Sequence, residues 1–267
     1  MSPEITRRAA LAGAVALPWL AACSPDAPTA GNPAPIDTED GTLSSRFWPD
    51  REVHWRLARP ERRGGDTVPQ PLVVAMHGHG GDADWPFAGV HIDDHVASTG
   101  LAVATVDGGD FYWHARTSGI DTGRMVIEDL LPLLAGKGLA TDRIGLLGWS
   151  MGGYGALLLA TELGSGRVAG VVAASAALWQ SPGDSAPGAF DYREDFVRND
   201  VFARRAELRG IPVRIDCGRG DQFIAANRAF ARELPDAAVT FDDGGHTEDY
   251  WTARAGAQMS WLSERLR

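Results

Sequence analysis

Residues Arg143–Glu162 read RIGLLGWSMGGYGALLLATE, and the fold turns on how this stretch is read. Ile144-Gly145-Leu146-Leu147 is an apolar run of strand length. It passes through Gly148-Trp149-Ser150-Met151-Gly152 into Tyr154–Ala160, which reads as a buried helix. Strand, G-x-S-x-G, helix is the setting of a nucleophile elbow, a sharp turn that lifts a serine clear of the strand ends. Such a turn strains the serine backbone and needs small neighbours, since a Cβ at Gly148 or Gly152 would collide with it. Gly153 and Gly155 are expected to let the helix pack close to the sheet. The chain has 32 glycines in 267 residues, so a bare G-x-S-x-G would arise by chance in about one such chain in five. The flanking strand and small-residue helix therefore carry the reading, and Ser150 is the candidate nucleophile.

Gly148–Leu157, GWSMGGYGAL, resembles the G-x-S-M-G-G-x-G-A segment of the esterase D and S-formylglutathione hydrolase group and of the mycolyltransferase-like secreted esterases. All are α/β-hydrolases. With gaps, the resemblance runs from about Leu72 to Trp251. Upstream, the apolar run Pro71–Met76 enters His77-Gly78-His79-Gly80-Gly81, similar to the H-G-x-G-G loop after the third strand of that fold. A serine attack on an ester passes through an oxyanion, which backbone N–H groups must face. The amide of Met151 is expected to supply one donor. The loop is expected to supply the other, from His79 or, in competition, Gly80. The His77 and His79 side chains have no acidic or cysteine partner at ligand spacing, so no metal is expected.

Leu101–Val106 reads as the next buried strand. It ends in an aromatic loop, Asp107–His114, where the family carries a P-D-G-G-type segment near the acyl pocket. Tyr112, Trp113, His114 and Trp149 are the substrate-pocket candidates. Downstream, Pro212–Cys217 opens into Gly218-Arg219-Gly220-Asp221-Gln222-Phe223, similar to the family's D-C-G-x-x-D-x-F, whose second aspartate is the triad acid. That maps to Asp221, with Asp216 in the strand as the rival. Gly244-Gly245-His246 through Trp251 looks like the G-G-H-x-x-x-x-W stretch that carries the catalytic histidine. All six other histidines precede Ser150, so only His246 fits the chain order Ser, Asp, His.

The rest of the chain alternates in the same rhythm. Val53–Leu57 reads as an edge strand, Trp85–Ser98 and Gly123–Leu134 as helices, and Val168–Ala174 as a strand. Ser175–Asp191 reads as a loop or short lid. Asp195–Leu208 and Ala225–Leu234 read as helices, Val239–Phe241 as the last strand and Thr252–Arg267 as the closing helix. Alternating strands and helices from Leu72 onward predict an α/β-hydrolase fold, a mostly parallel twisted sheet with helices on both faces and no large cap domain.

A formal charge of −10 and an isoelectric point near 5.1 argue against nucleic acid as a partner. The N-terminus reads as a targeting segment. Arg7-Arg8 precede the apolar run Ala9–Leu20, and Leu20-Ala21-Ala22-Cys23 resembles the lipobox of bacterial lipoproteins, in which the cysteine is lipidated. Thr6–Leu11 resembles a twin-arginine export signal, with Ala10 departing from its usual bulky residue. A plain secretory peptide is the alternative. Residues 1–22 are thus expected to be a signal peptide. Residues 23–42, rich in Pro, Ala, Asp and Thr, are expected to form a flexible tether, and 43–267 the hydrolase domain. The expected location is the outer face of the membrane. Cys217 then has no disulfide partner and reads as a small buried hydrophobe.

The expected chemistry is acyl transfer through Ser150, His246 and Asp221 with no cofactor, on a small-molecule or lipid ester. Transfer to a sugar or lipid acceptor, peptidase action and a non-catalytic binding role are the alternatives. Oligomeric state is not legible.

Overall fold

The structure is a computed structural model that describes residues 35–267 apart from 63 and 66. The expected signal peptide, Cys23 and most of the expected tether lie outside the described residues. Eight strands form one sheet in the order β1-β2-β4-β3-β5-β6-β7-β8. They are β1 (Ile36–Ser45), β2 (Trp48–Pro60), β3 (Gln70–Met76), β4 (Ala102–Val106), β5 (Leu139–Trp149), β6 (Val168–Ala174), β7 (Val213–Gly218) and β8 (Ala238–Asp242). The β1–β2 and β2–β4 pairs are antiparallel, and every other pair is parallel. This is the α/β-hydrolase architecture.

Burial follows the pleat. Leu72, Val74 and Met76 of β3 join one apolar cluster, whereas Val73 and Ala75 join the other. Successive side chains of a strand point to opposite faces, so both faces of the sheet are covered. Every residue of β6 is buried, as expected for a parallel strand between two helical layers.

Among the described residues eight α-helical segments cover those faces: α1 (Trp85–Ala88), α2 (Val96–Thr99), α3 (Thr122–Met125), α4 (Leu131–Gly136), α5 (Met151–Leu163), α6 (Arg193–Asn199), α7 (Ile224–Arg232) and α8 (Glu248–Leu266). The helix expected over Trp85–Ser98 is broken. His91 takes a left-handed conformation at φ 55°, and a 3₁₀ turn over Ile92–His95 separates α1 from α2. The helix expected over Gly123–Leu134 is continuous, but a π turn over Val126–Leu130 joins α3 to α4. Pro132 follows that turn and has no N–H for the Glu128 carbonyl. Asp195–Leu208 splits into α6 and a 3₁₀ turn at Arg205–Leu208.

Two boundaries need correction. The hydrolase domain does not start at residue 43, because residues 36–42 of the expected tether belong to strand β1 (Ile36–Ser45). Nor is β2 the edge, since β1 pairs along its outer side from Ile36↔Pro60 to Ser45↔Trp48. The tether reading rested on the lack of apolar residues to bury, and β1 indeed buries few. Its hold is a backbone ladder, which composition does not encode. The Glu39 carboxylate adds an ion pair with Lys137.

Candidate active site

Ser150 sits between β5 and α5 at φ 55° and ψ −116°, a strained conformation for a residue with a Cβ. Its surroundings enforce the turn. The Ser150 amide donates to the Ala174 carbonyl on β6 at 2.9 Å, and its own carbonyl accepts from the Ala177 amide at 2.9 Å. A Cβ on Gly148 would lie 2.0 Å from the Gly152 carbonyl oxygen, and one on Gly152 would lie 1.9 Å from that of Met76. Only glycine fits either place. Gly155 serves a different purpose from the one expected. A Cβ there would lie 2.4 Å from the Trp113 ring, so its bareness admits an indole and not the sheet.

The candidate acid and base, Asp221 and His246, come from the loops after β7 and β8. Those loops lie against each other: the Arg219 amide donates to the Asp242 carbonyl at 2.7 Å, and the Gly220 amide to Gly244 at 2.8 Å. A Cβ on Gly218 would strike the Gly244 carbonyl at 2.3 Å. His246 is thereby brought to both partners. Its Nδ1 lies 2.9 Å from Asp221 Oδ2, and its Nε2 lies 2.9 Å from Ser150 Oγ. The carboxylate can only accept, so Nδ1 carries the proton and Nε2 is left to accept from the serine. Asp221 also accepts the Phe223 amide on Oδ1 at 2.8 Å. Burial pushes the Asp221 carboxyl up, but the His246, Phe223 and Ser175 donors together bring it below its ordinary value.

The imidazole is held edge-on between two rings, Trp251 at 4.9 Å and Phe223 at 5.3 Å between centroids. Trp251 Nε1 in turn donates to Ser175 Oγ at 2.9 Å. Asp216, the rival acid, faces elsewhere: fully buried on β7, it accepts from Arg214 Nε at 2.8 Å and Gln258 Nε2 at 2.9 Å.

The His77–Gly81 loop lies on the elbow, where a Cβ on Gly78 would touch Ser150 Cβ at 3.4 Å. The Gly80 amide donates to Asp110 Oδ1 at 2.6 Å and is committed. The His79 amide has no acceptor among the described residues. The Met151 amide opens α5, where a helix leaves its first donors without intrahelical partners. The His79 and Met151 amides thus remain the candidates to face an oxyanion. The His77 side chain is a brace: its Nε2 accepts the Gly108 amide at 2.9 Å and its Nδ1 donates to the Gly78 carbonyl at 2.7 Å. Burial lowers its pKa, consistent with a neutral ring that ties the two loops together.

All four pocket candidates are buried. Trp149 is fully buried on the α8 face, packed edge-on to Trp85 at 5.5 Å. Trp113 is 1% exposed and fills the space over Gly108 and Gly155. His114 is buried under Phe190, stacked at 5.3 Å, with Nε2 on the Ala189 carbonyl; burial lowers its pKa. Strand alternation and the left-handed backbone of Tyr112 and Trp113 (φ 54° and 58°) turn these side chains inward. The Tyr112 ring lies near those of His79, Trp179 and Phe190. Sequence reasoning gave no role to Trp179 or Phe223. Cys217 is buried, and burial pushes its thiol up to about 12, so it is no nucleophile.

No curated protein matches the chain. Solved structures resemble it in fold. A ferulic acid esterase is 19% identical with TM-score 0.76, over 86% of this chain and 98% of that one. A fluorophosphonate-binding serine hydrolase F of Staphylococcus aureus is 17% identical with TM-score 0.76, over 86% and 99%. An S-formylglutathione hydrolase of Agrobacterium tumefaciens is 18% identical with TM-score 0.74, over 86% and 95%. Residues 49–260 match the family described as "Putative esterase", and with so much of its length inside that match the chain belongs to this esterase family.

Proposed function

We propose that the chain is a serine carboxylesterase that works through Ser150, His246 and Asp221. The observation that carries this reading is the unbroken hydrogen-bond line from Asp221 through His246 to Ser150, with 2.9 Å at each step. As Ser150 Oγ bonds to the acyl carbon, its proton passes to His246 Nε2. Asp221 holds the imidazole in the tautomer that can accept it. The carbonyl oxygen becomes an oxyanion facing the Met151 and His79 amides. His246 then returns the proton to the leaving alkoxide, the C–O bond breaks, and an acyl-enzyme remains. Water, deprotonated by the same Nε2, releases the acid and restores the serine.

Ser150→Ala tests this reading. Ester hydrolysis and labelling by a fluorophosphonate probe are both expected to vanish while the melting temperature holds. Labelling that persists in the variant would overturn the assignment. A residual rate over water of about 10³-fold is compatible with it, because oxyanion donors survive the loss of the serine.

The N-terminal sequence supports a second proposal, that the protein is an exported lipoprotein anchored through Cys23. Leu20-Ala21-Ala22-Cys23 after an apolar run is the feature that favours it. Among the described residues no helix is long and apolar enough to cross a membrane, and a lipid on Cys23 would do the anchoring. Full-length protein is expected in the detergent phase of a partition assay, and Cys23→Ala in the aqueous phase or unprocessed. A wild-type mature chain of unmodified mass would refute the anchor.

A further inference from the structure

Residues 173–177 read Ala-Ala-Ser-Ala-Ala, and all of them are buried. Ser175 carries the only hydroxyl of the run. It lies one residue past β6 at φ 49°, a left-handed conformation uncommon for a residue with a Cβ and open to glycine. The position thus combines a strained backbone with a buried hydroxyl, which is costly unless it is bonded.

That hydroxyl is bonded on both sides. Its Oγ accepts from Trp251 Nε1 at 2.9 Å, so its own proton points elsewhere. Two acceptors are within reach, the Cys217 sulfur and the Asp221 carboxylate. Sulfur is a weak acceptor and a carboxylate a strong one, so the proton goes to Asp221. Four side chains then close a ring. Asp221 holds His246 Nδ1 at 2.9 Å. The His246 imidazole lies edge-on to the Trp251 indole at 4.9 Å. The indole donates to Ser175, and Ser175 donates to Asp221. The same short segment braces the nucleophile, because the Ala174 carbonyl and the Ala177 amide each bond the Ser150 backbone at 2.9 Å. On its other side the Ser175 amide donates to the Asp216 carbonyl of β7 at 2.7 Å. Ser175 therefore stands between the elbow and the strand that carries the acid.

We propose that Ser175 is a positioning residue of the catalytic machinery: its hydroxyl, oriented by the Trp251 indole, fixes the Asp221 carboxylate and takes up part of its charge. The proposal rests on the serine esterase reading above. Without the hydroxyl, the negative charge of Asp221 bears more heavily on the imidazole, which favours the protonated ring. The base then gives up its proton at higher pH, and the acid limb of kcat/KM moves upward. Other ionisable groups around the ring are already accounted for. Burial pushes the Cys217 thiol up to about 12, so it stays neutral. Asp216 is held by Arg214, Asp242 by Arg254 and Asp243 by Arg219. Glu248 accepts the Trp85 indole N–H, and Arg228 of α7 lies over the Phe241 ring. None of them changes with the hydroxyl.

The test measures kcat, KM and the pH dependence of kcat/KM on p-nitrophenyl acetate for the wild type, Ser175→Ala and Ser175→Gly. Both variants lack the hydroxyl. Glycine also suits the left-handed backbone, so it carries the test if the alanine variant does not fold. In each, kcat is expected to fall by about tenfold, as slight misplacement of a catalytic group costs, with KM little changed. The acid limb is expected to rise by about half a pH unit. Trp251→Phe keeps a ring against the imidazole but lacks the N–H. It is expected to move the limb the same way, and adding Ser175→Ala to it is expected to cost less than Ser175→Ala alone costs the wild type. An unmoved acid limb in the folded Ser175 variants, whether or not kcat falls, would overturn the proposal, since a merely structural serine alters melting and not the limb. Fully additive effects of the Trp251 and Ser175 changes would overturn it too. A wild type inert toward both the ester and a fluorophosphonate probe would overturn the esterase reading instead, and this role with it.

Discussion

Asp221 and Asp216 share one strand and the loop after it, and their surroundings give them different work. Asp221 touches His246, whereas Asp216 is locked to Arg214 and Gln258 inside the sheet–helix interface. Asp221→Asn is therefore expected to lower kcat by about 10⁴ with little change in melting, because an amide can present its NH₂ to Nδ1 and favour the wrong tautomer. Asp216→Asn is expected to leave kcat nearly intact and lower stability by about 3 kcal/mol, as when one partner of a buried pair is removed. Turnover and melting temperature measured on both variants separate the two roles, and a collapse of kcat in Asp216→Asn at normal melting would reverse them. The distinction was legible in the sequence because glycines before Asp221 mark a loop, while Asp216 stands within an apolar strand. Which aromatic side chains would meet beside His246 was not legible. Trp179 and Phe223 meet only because the loops after β6 and β7 end at the same edge of the sheet, a tertiary fact without a local signal.

Among the elements, the loop from Ser175 to Asp191 is fastened at its far end. Arg116 places Nη2 2.6 Å from Asp191 Oδ1 and reaches the Gly188 carbonyl at 3.0 Å. The Thr117 amide donates to Asp191 Oδ2 at 2.7 Å. The Arg116 hydrogen bonds, joined by those of Thr117, hold the Asp191 carboxyl well below the usual carboxylate range. With a depressed pKa, the contribution of this strap is complete above that range and fades as pH falls toward the folded-state value. Phe190, next to the strap, packs on Tyr112 and Trp179, so the fastening bears on the site. Asp191→Asn is expected to raise KM several-fold with a smaller effect on kcat, and to expose the loop to protease at neutral pH. The wild type should become equally cleavable only in acid. Identical cleavage of both proteins at neutral pH would show that the strap holds nothing. Gly, Pro and Ser content marked this segment as a loop, but its partner, Arg116, lies far away in sequence. Elements set by local periodicity, such as β3, β6 and α5, were readable. β1 was not, because its ladder is written in backbone amides.

For the whole molecule, the active centre is built from two parts of unequal security. The proposed nucleophile Ser150 and the proposed oxyanion amides of Met151 and His79 follow β5 and β3, strands paired on both sides in the middle of the sheet. The alternation of apolar strands and helices made that centre visible in the sequence. The proposed base, His246, hangs from β8, an outermost strand that among the described residues pairs only with β7 and has no fully buried residue. Edge elements with little buried surface open at lower free energy than the core. This strand is then the protein's fuse. Warming is expected to silence the esterase some degrees before far-ultraviolet ellipticity falls, with the serine still seated on a folded core, and to restore it on cooling. Activity and ellipticity followed along one temperature ramp would decide the point, since superimposed curves would mean that the edge and the core fail together.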